Sequence, residues 1–325
     1  MGPLQLAPNY TSPVWSGTRV NEARGLSLEV SYGESFDVSA HEGLVNVVEA
    51  GPYAGTPLDE LVRSHRSEIM GDLSDDGVVQ VIVMDAHESL SVQVHPDEAY
   101  ARVHERDHEK TESWYVLSAD PGAFIYCGTT TDDVDALRAA ASDDSIGERY
   151  CRKVPVSEGD FVLIPAGTLH ALGAGVFALE VGSLGFRTYR VCDWGRGREL
   201  HVQQAFDVLR TDSRPEPNRL GPFDPTSPPS IRRGVTHRLF VSDVIDVRGT
   251  WRQGTTGRYE VVSCVAGIGV VRTAEGDAEL PFTRSVLVPA SVASYTIEGT
   301  CRVLRSYATL PGEVAWPVAR ASGTT

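Results

Sequence analysis

The sequence has few cysteines, a shortage of basic residues and no long apolar run, and each of these features excludes a class of protein. Its five cysteines are scattered over 325 residues without a C-x-x-C pair, so neither a disulfide framework nor a thiolate zinc site is expected, and a reduced cytoplasm fits. Lysine and arginine number 29 against 44 acidic residues, and the formal net charge of −15 disfavours nucleic acid and anionic membranes as partners. No stretch approaches the roughly 18 apolar residues of a membrane-spanning helix, and the first residues, MGPLQLAPNY, lack the apolar core of a secretory signal.

What the sequence does contain predicts a folded, mostly β protein. Hydrophobic residues make up 41% of the chain and aromatic residues 8%, which is enough for a sizeable core. Five short segments rich in β-branched and aromatic residues, bounded by Gly, Pro or Asp, are typical of strands: 78–86, 89–95, 112–117, 123–128 and 161–165. Three segments favour helices: 56–70, with Thr56 as cap and Pro57 in the first helical position, 131–142, and 202–211.

The length favours two domains, or one large domain with an appendage, and a change in composition divides the chain. Residues 213–236 are rich in Pro, Ser and Arg and indicate an extended linker between a first domain, 1–212, and a second, 237–325. The segment 161–172 (FVLIPAGTLHAL) aligns without gaps with 285–296 (SVLVPASVASYT). We interpret both as one β-barrel unit used twice, in which His170 of the first copy corresponds to Ser294 of the second. If the first copy holds a metal, the second has lost it.

Two segments carry polar side chains on one face of a predicted strand. Ser91, Gln93 and His95 alternate with apolar residues, so they share a face that either lines a barrel or cleft or lies in solvent. Lys110 and Glu112 likewise share a face. They form either a surface ion pair of little energy or a metal-binding carboxylate beside an ammonium that anchors a substrate.

One histidine pattern suggests a metalloprotease. The segment 104–108 reads HERDH and matches H-E-x-x-H, which on a helix holds zinc between two imidazoles. The continuation argues against it, because Thr111 and Trp114 stand where one protease class has Gly and His. The predicted helix 131–142 also contains no Glu to serve as a third ligand. We expect the helix around 104 to end before His108, since the residues after it are typical of a strand.

A second histidine pattern has a fixed spacing of Gly159, Pro165, Gly167 and His170, or G-x5-P-x-G-x2-H. Gly159 suits a turn into a strand, and the Pro-x-Gly step suits a reversal that points His170 into a barrel. This is the second sequence motif of cupin barrels, with Ala174 in place of its final Asn. The alternative is a structural turn followed by a core histidine.

The patterns together resemble one family. The H-x-H of the first cupin motif is replaced by Gln93-Val94-His95, and Glu112 follows only after an insertion. With 110–117 (KTESWYVL) and 188–196 (TYRVCDWGR), the chain is similar over nearly its whole length to class I mannose-6-phosphate isomerase in its short bacterial form. The resemblance implies two cupin (jelly-roll) barrels, with a few helices inserted in the N-terminal half and a degenerate second barrel.

The resemblance also implies a metal site and its neighbours. It implies one Zn²⁺ per chain, or another divalent metal, held by Gln93, His95, Glu112 and His170. Ser91 and Lys110 correspond to residues associated with the substrate phosphate. Arg190 corresponds to a catalytic arginine that stabilises charge on a substrate oxygen. Alternatively, Arg190 pairs with a surface acid such as Asp193.

The implied reaction interconverts mannose 6-phosphate and fructose 6-phosphate through a cis-enediol. A proton leaves C2 and returns at C1, and the base is left open among Glu112, Lys110 and a metal-bound water. The implied partner is therefore a small sugar phosphate, and the chain is expected to be a monomer or a weak homodimer.

One segment departs from the family pattern. Where the family reads close to ETQQNSDTTYR, residues 180–190 read EVGSLGFRTYR, so several polar side chains are missing. A site that bonds a sugar hydroxyl rejects analogues lacking it, so this change suggests a changed substrate. Two further functions stay open: an isomerase or epimerase of another sugar phosphate, and a metal-binding cupin that recognises a sugar without turning it over.

Overall fold

The computed structural model describes residues 1–73 and 77–314, and in this part of the chain strands dominate. The strands are β1 (Leu4–Ala7), β2 (Asn9–Thr11), β3 (Glu34–Val38), β4 (Val47–Val48), β5 (Gln80–Ala86), β6 (Val92–Val94), β7 (Glu112–Ala119), β8 (Phe124–Thr129), β9 (Cys151–Pro155), β10 (Asp160–Ile164), β11 (His170–Leu172), β12 (Val176–Gly182), β13 (Tyr189–Cys192), β14 (Asn218–Arg219), β15 (Ser230–Thr236), β16 (Phe240–Gly254), β17 (Glu260–Thr273), β18 (Gly276–Leu280), β19 (Ser285–Val288) and β20 (Ser294–Ala308). The helices are α1 (Arg19–Arg24), α2 (Leu58–Ser64), α3 (Arg66–Ile69), α4 (Glu98–His104), α5 (Val134–Ser142), α6 (Ile146–Tyr150) and α7 (Val202–Val208). The mostly β fold expected from the sequence is confirmed.

Two antiparallel sheets build the N-terminal half around a shared core. One has the order β14-β10-β7-β12-β5-β3-β2 and the other the order β13-β6-β11-β8-β9. Apolar side chains of both sheets, such as Trp114 on β7 and Val94 on β6, belong to one buried cluster. The strand β5 is buried on both faces, because Ile82 points into this cluster and Val81 into the core shared with the C-terminal half. That double burial explains the nearly continuous apolar run of residues 78–86.

The third sheet carries the C-terminal half, and the beginning of the chain joins it. Its order is β15-β16-β20-β17-β19-β1-β4, with β18 paired to β17. The strand β1 pairs with β19 through Leu4 and Leu287. A separate apolar core that includes Ile245 and Val303 belongs to this sheet alone.

The predicted repeat is present as structure. In the first copy, β10 and β11 flank a turn in which Thr168 N donates to Pro165 O at 3.1 Å. In the second copy, β19 and β20 flank the equivalent turn, in which Val292 N donates to Pro289 O at 3.0 Å. His170 and Ser294 each begin the strand after the turn, but His170 is buried and Ser294 is exposed.

Two predictions of local structure are wrong. The helix predicted over 56–70 begins only at Leu58 and is broken at His65, where α3 starts anew. Thr56 does not cap it, because Thr56 O accepts a hydrogen bond from Val48 N and the chain here runs extended beside β4. The other two predicted helices correspond to α5 and α7, and each of the five predicted strands overlaps an observed one, although in 89–95 only Val92–Val94 is a strand.

The second wrong prediction concerns the end of the linker. Residues 230–236 are not a free connection but the strand β15, paired with β16 from Ser230 to Thr236. Within the same segment, β14 pairs with β10. The beginning of the segment is rich in Pro, as is typical of a linker, whereas the β-branched residues Ile231 and Val235 favour a strand at its end. The division at 212 and 237 into two domains stays a prediction.

The structure also shows the state of the cysteines and the character of the helices. All five cysteines are free and buried. Among the residues that the structure describes, none of the helices has the length and apolar character needed to traverse a bilayer.

Candidate metal centre and active-site cleft

The candidate metal ligands come from both sheets of the N-terminal half. Gln93 on β6 lies directly opposite His170 on β11 and opposite Arg190 on β13, so the three side chains are neighbours across adjacent strands. His95 follows β6, and Glu112 begins β7 in the facing sheet. The two sheets therefore bring together the four residues that the resemblance assigns to the metal.

The spaced glycines fix the path of the chain toward His170. Gly159 has a φ of 83° and Gly167 a φ of 84°, a left-handed conformation that glycine adopts without strain. A Cβ at Gly159 would lie 1.9 Å from the Gly221 carbonyl oxygen, so only glycine fits there. Gly167 N donates to His95 O at 2.9 Å, so the turn before one candidate ligand is bonded directly to the other.

Three candidate ligands converge within hydrogen-bonding distance. His95 Nε2 lies 3.2 Å from Glu112 Oε2, His170 Nε2 lies 3.2 Å from Glu112 Oε1, and the two Nε2 atoms are 3.1 Å apart. Within the described ranges, these three residues are the group of His, Cys, Asp and Glu side chains whose ligand atoms all lie within 4.8 Å of one another. Gln93 Nε2 lies 3.5 Å from His170 Nε2, and a turn of the amide brings its oxygen to the same place.

The hydrogen bonds behind the imidazoles leave their metal-binding nitrogens as acceptors. His95 Nδ1 donates to Arg187 O at 3.0 Å and His170 Nδ1 donates to Thr168 O at 2.8 Å, so both Nε2 atoms carry a lone pair. These lone pairs face each other and the buried carboxylate of Glu112, whose oxygens accept no hydrogen bond from the described residues. The ammonium of Lys110 lies 3.3 Å from Oε2, but among the described residues no donor lies between the carboxylate and the two imidazoles, and such a buried group of acceptors is costly unless a cation binds there. Imidazole nitrogens, a carboxylate and an amide oxygen suit zinc.

Burial and the nearby ammonium set the protonation of this cluster. Burial, aided by the charge of Lys110, lowers the pKa of His95 to about 3, so the imidazole is neutral at neutral pH. Burial alone raises the pKa of Glu112, but the ammonium of Lys110, 3.3 Å from Oε2, outweighs it together with His95 and His170, and the pKa lies well below its usual range. The side chain of Lys110 is only 13% exposed and its partner Glu112 is buried, so the pair is not the surface ion pair considered for it.

A cleft of about 490 Å³ opens beside the cluster and collects the remaining predicted site residues. Ser91, Gln93, Lys110 and Arg190 all line it. The polar face predicted for residues 91–95 is therefore directed into a cleft, and Ser91 and His95 are buried rather than solvated.

Arg190 does not form the surface pair considered for it. Asp193 is instead bound by Arg196 and by Arg198, whose Nη2 lies 2.5 Å from Asp193 Oδ1. Arg190 Nη1 donates to Glu199 O at 2.9 Å, and its Nε is buried without a hydrogen-bond partner among the described residues. Burial and the nearby charge of Arg198 lower the pKa of Arg190.

Three charged residues that line the cleft are not predicted from the sequence: Glu34, Glu180 and Arg198. Trp114 Nε1 donates to Glu180 Oε2 at 3.2 Å, and burial together with the charge of Glu112 raises the pKa of Glu180 to about 8. Burial also raises the pKa of Glu34, which accepts a hydrogen bond from Thr11. No local sequence pattern predicts that these residues line the cleft, because their position depends on which strands pair.

The segment that departs from the family pattern forms an apolar part of the cleft wall. The ring of Phe186, a lining residue, stacks on that of His41 with centroids 4.4 Å apart. By position, Phe186 replaces the Asp of the family's NSDT. A hydrogen-bonding carboxylate is thus exchanged for an aromatic surface.

The HERDH pattern does not form a protease site. The helix α4 ends at His104, so His108 does not lie on the same helical face, as expected from the sequence. The ring of His104 stacks on Tyr100 with centroids 4.1 Å apart. His108 lies near Glu98, with Nδ1 3.6 Å from Oε1.

The paired sheets and the inward-facing histidines define a cupin domain with a candidate metal centre. Two family models match the chain: the type I phosphomannose isomerase catalytic domain over residues 4–121, and the mannose-6-phosphate isomerase cupin domain over residues 235–308. The mannose-6-phosphate isomerase of Streptococcus mutans is 34% identical over 322 residues, which cover 94% of this chain and 98% of that protein. The chain belongs to the mannose-6-phosphate isomerase family, and the resemblance seen in its motifs is confirmed.

Solved structures agree with this assignment. The crystal structure of the mannose 6-phosphate isomerase from Bacillus subtilis matches with a TM-score of 0.83 at 28% identity, covering 94% of this chain and all of that one (100%). A mannose 6-phosphate isomerase bound with zinc and yttrium shares the fold at a TM-score of 0.73 and 15% identity, covering 95% of this chain and 100% of that chain. Both solved structures match this chain over its N-terminal and C-terminal halves together.

Proposed function

We propose that this protein is a metal-dependent aldose–ketose isomerase that interconverts mannose 6-phosphate and fructose 6-phosphate. The observation that carries the proposal is that Gln93, Lys110 and Arg190 line one cleft beside the three buried candidate ligands. A protein that only recognised a sugar would not need buried acid–base groups next to a metal site. Membership in the family supports the same reaction.

Gln93, His95, Glu112 and His170 would hold the metal, and their donor set favours zinc over the harder divalent ions. The neutral imidazole of His95 and the ionised carboxylate of Glu112 are already in the protonation states that a metal ligand needs. When bound, the ion would polarise substrate oxygens and stabilise charge that develops on them.

Ser91, Lys110 and Arg190 would bind the substrate, and Arg198 extends their positive region. The loop that carries Arg198 lies against residues 89–91, since Trp194 Nε1 donates to Leu90 O at 2.7 Å and Arg196 Nη2 donates to Ser89 O at 3.0 Å. We assign the phosphate to this end of the cleft, where guanidinium groups suit its geometry. Lys110 would either reach the phosphate as well or act at the reacting carbons beside Glu112.

Proton transfer requires one acceptor and one donor near C1 and C2 of the sugar. Glu112, with its lowered pKa, is ionised at neutral pH and is an acceptor. Burial lowers the pKa of Lys110, but Glu112, Glu180 and Glu34 outweigh it and raise the pKa, so the group stays an ammonium and a donor. Glu180, with a pKa of about 8, also carries a proton at pH 7. Arg190 would stabilise the charge on the enediol oxygen.

A second candidate function is the same chemistry on another sugar phosphate. Phe186 gives the cleft an aromatic wall where the family pattern has a carboxylate, and its ring stacks on that of His41. Such a wall offers no hydrogen bond to a sugar hydroxyl, so it favours a substrate that is less hydroxylated at that point.

An isomerase assay with matched variants tests the proposal. Purified protein is stripped with a chelator, reloaded with zinc, and assayed for formation of fructose 6-phosphate from mannose 6-phosphate. We expect activity only after reloading, its loss in His170→Ala, and its retention in Ser294→Ala, the equivalent position of the second copy. Zinc-loaded wild-type protein without turnover of mannose 6-phosphate would refute this substrate. Turnover of a second sugar phosphate would then support the other candidate.

We further propose a cytoplasmic protein that is a monomer or a weak homodimer. Five free, buried cysteines fit a reducing compartment. Light scattering over a range of protein concentrations tests the oligomeric state, and a mass that stays at twice 35.2 kDa on dilution would contradict a weak dimer.

A further inference from the structure

We propose that Glu105 and Asp107 are positioning residues for the candidate metal ligand His95 and for Arg190. Together they hold residues 186–189, which we call the clamp loop. The proposal rests on the proposed metal site. It gives a role to the acidic residues of the HERDH segment, whose histidines do not form a zinc site.

Asp107 holds the backbone of the clamp loop. Its Oδ2 accepts hydrogen bonds from Phe186 N and from Arg187 N, each at 3.0 Å. Its Oδ1 accepts from His108 N at 2.8 Å, which fixes the carboxylate on its own segment. One carboxylate thus joins two chain segments that are 79 and 80 positions apart in sequence.

Glu105 holds the side chains of the same loop. Its Oε2 lies 2.9 Å from Arg187 Nε, and its Oε1 accepts from the Tyr189 hydroxyl at 2.7 Å. Arg106, between the two acids, has a φ of 55°. Residues other than glycine adopt this left-handed backbone conformation only when their surroundings impose it. The two carboxylates therefore hold the clamp loop at both of its ends.

The clamp loop transmits this constraint to the metal site. Arg187 O accepts the hydrogen bond from His95 Nδ1 that leaves Nε2 free for a metal. Arg190, next to Tyr189, lines the cleft from the strand that follows the loop. A loop that moves away takes the Arg187 carbonyl with it, so His95 loses the partner that fixes its tautomer and its orientation.

Zinc affinity measured on metal-free protein by competition with a chromogenic chelator tests the proposal without relying on turnover. Loss of the hydrogen-bond partner behind a metal-binding histidine weakens metal binding about 10- to 100-fold. We expect a loss in this range for Asp107→Ala, because it releases the loop that carries the Arg187 carbonyl. Asp107→Asn keeps an oxygen that accepts both backbone hydrogen bonds and should recover most of the affinity. Glu105→Gln is a second, milder variant in case Asp107→Ala does not fold. In the zinc-saturated enzyme, kcat should fall more than KM rises.

Glu98→Gln is the matched control. Glu98 is an acid of the same insertion, but its carboxylate is bonded within the insertion, to Arg102 at 2.7 Å and to Glu109 N at 2.8 Å. We expect its zinc affinity to stay within about twofold of wild type. Unchanged affinity in both Asp107→Ala and Glu105→Gln would overturn the proposal. His95→Ala separates the two hypotheses: if it too binds zinc normally, the proposed metal site itself is wrong.

Discussion

Arg198 offers a direct test of where the phosphate binds. It lines the cleft, and its contacts with Asp193 use Nε and Nη2, with the Nε–Oδ1 distance at 3.0 Å. Nη1 takes no part in that pair. The side chain is held in place by a buried carboxylate, so little conformational entropy is lost when an anion binds to its remaining edge.

The expected magnitude follows from one charge-assisted hydrogen bond. Such a bond contributes about 1.5–3 kcal/mol, and the lower end applies because Arg198 is 34% exposed to solvent. Arg198→Ala should therefore lower kcat/KM for mannose 6-phosphate by about tenfold. For unphosphorylated mannose, kcat/KM should stay the same, because the neutral sugar has no group for Arg198 to bind.

Arg196→Ala controls for the general loss of positive charge and of a partner for Asp193. Arg196 also pairs with Asp193, at 3.4 Å, and approaches Glu88 at 3.8 Å, but it does not line the cleft. Both variants and wild type are assayed with the two sugars, and inorganic phosphate is titrated as an inhibitor. Equal losses for mannose and mannose 6-phosphate in Arg198→Ala, or equal losses in both variants, would refute a direct contact with the phosphate.

Three further predictions concern stability and specificity. The folded-state pKa of Glu180, about 8, lies above its ordinary value of 4.5, so the metal-free protein loses stability as pH rises between these values, by at most about 1.4 kcal/mol per pH unit. Urea unfolding from pH 5 to 9 should show a weaker decline in Glu180→Gln, and an identical decline would contradict the burial of a protonated carboxyl. Gly159→Ala should destabilise the fold by about 2–5 kcal/mol through strain and overlap, whereas Gly122→Ala, with the same φ of 83° but open space around it, should cost only about 1–2 kcal/mol. Equal shifts in the urea midpoint would exclude the close approach to Gly221. Phe186→Asp, which restores the acid of the family pattern, should raise kcat/KM for mannose 6-phosphate by about tenfold if a hydroxyl partner is missing, while unchanged kinetics would show that the aromatic wall does not limit this substrate.

The parts of the candidate site that the sequence predicts are those determined by short-range geometry. The spacing from Gly159 to His170 specifies a turn, a reversal and a strand, and all three elements lie within a dozen residues. The alternation at Ser91, Gln93 and His95 likewise depends only on the two-residue period of a strand. Such patterns identify candidate ligands without knowledge of the pairing between strands.

The parts that the sequence does not predict depend on which segments of the chain pair with each other. Glu180 reaches the cleft because β12 pairs with β7, which sets it opposite Trp114. Thr56 has the residue type of a helix cap, but its carbonyl is already used by the extended segment at Val48. Composition places a linker at 230–236, yet pairing with β16 makes that segment a strand. In each case the pairing of backbone segments, which residue type and composition do not reveal, decides the structure.

The strand β1, near the start of the chain, completes the sheet of the C-terminal half. Its residues are synthesised long before those of its partner β19, which follows nearly three hundred residues later, so the C-terminal sheet cannot be completed until β19 has left the ribosome. The chain then continues directly from β1 into β2, at the edge of the sheet that carries Glu112. Removal of the first strand would leave β19 with an unpaired edge, a template for pairing between molecules. The strand β1 therefore pairs with a segment made much later in synthesis, and it links the C-terminal sheet to the sheet that carries Glu112.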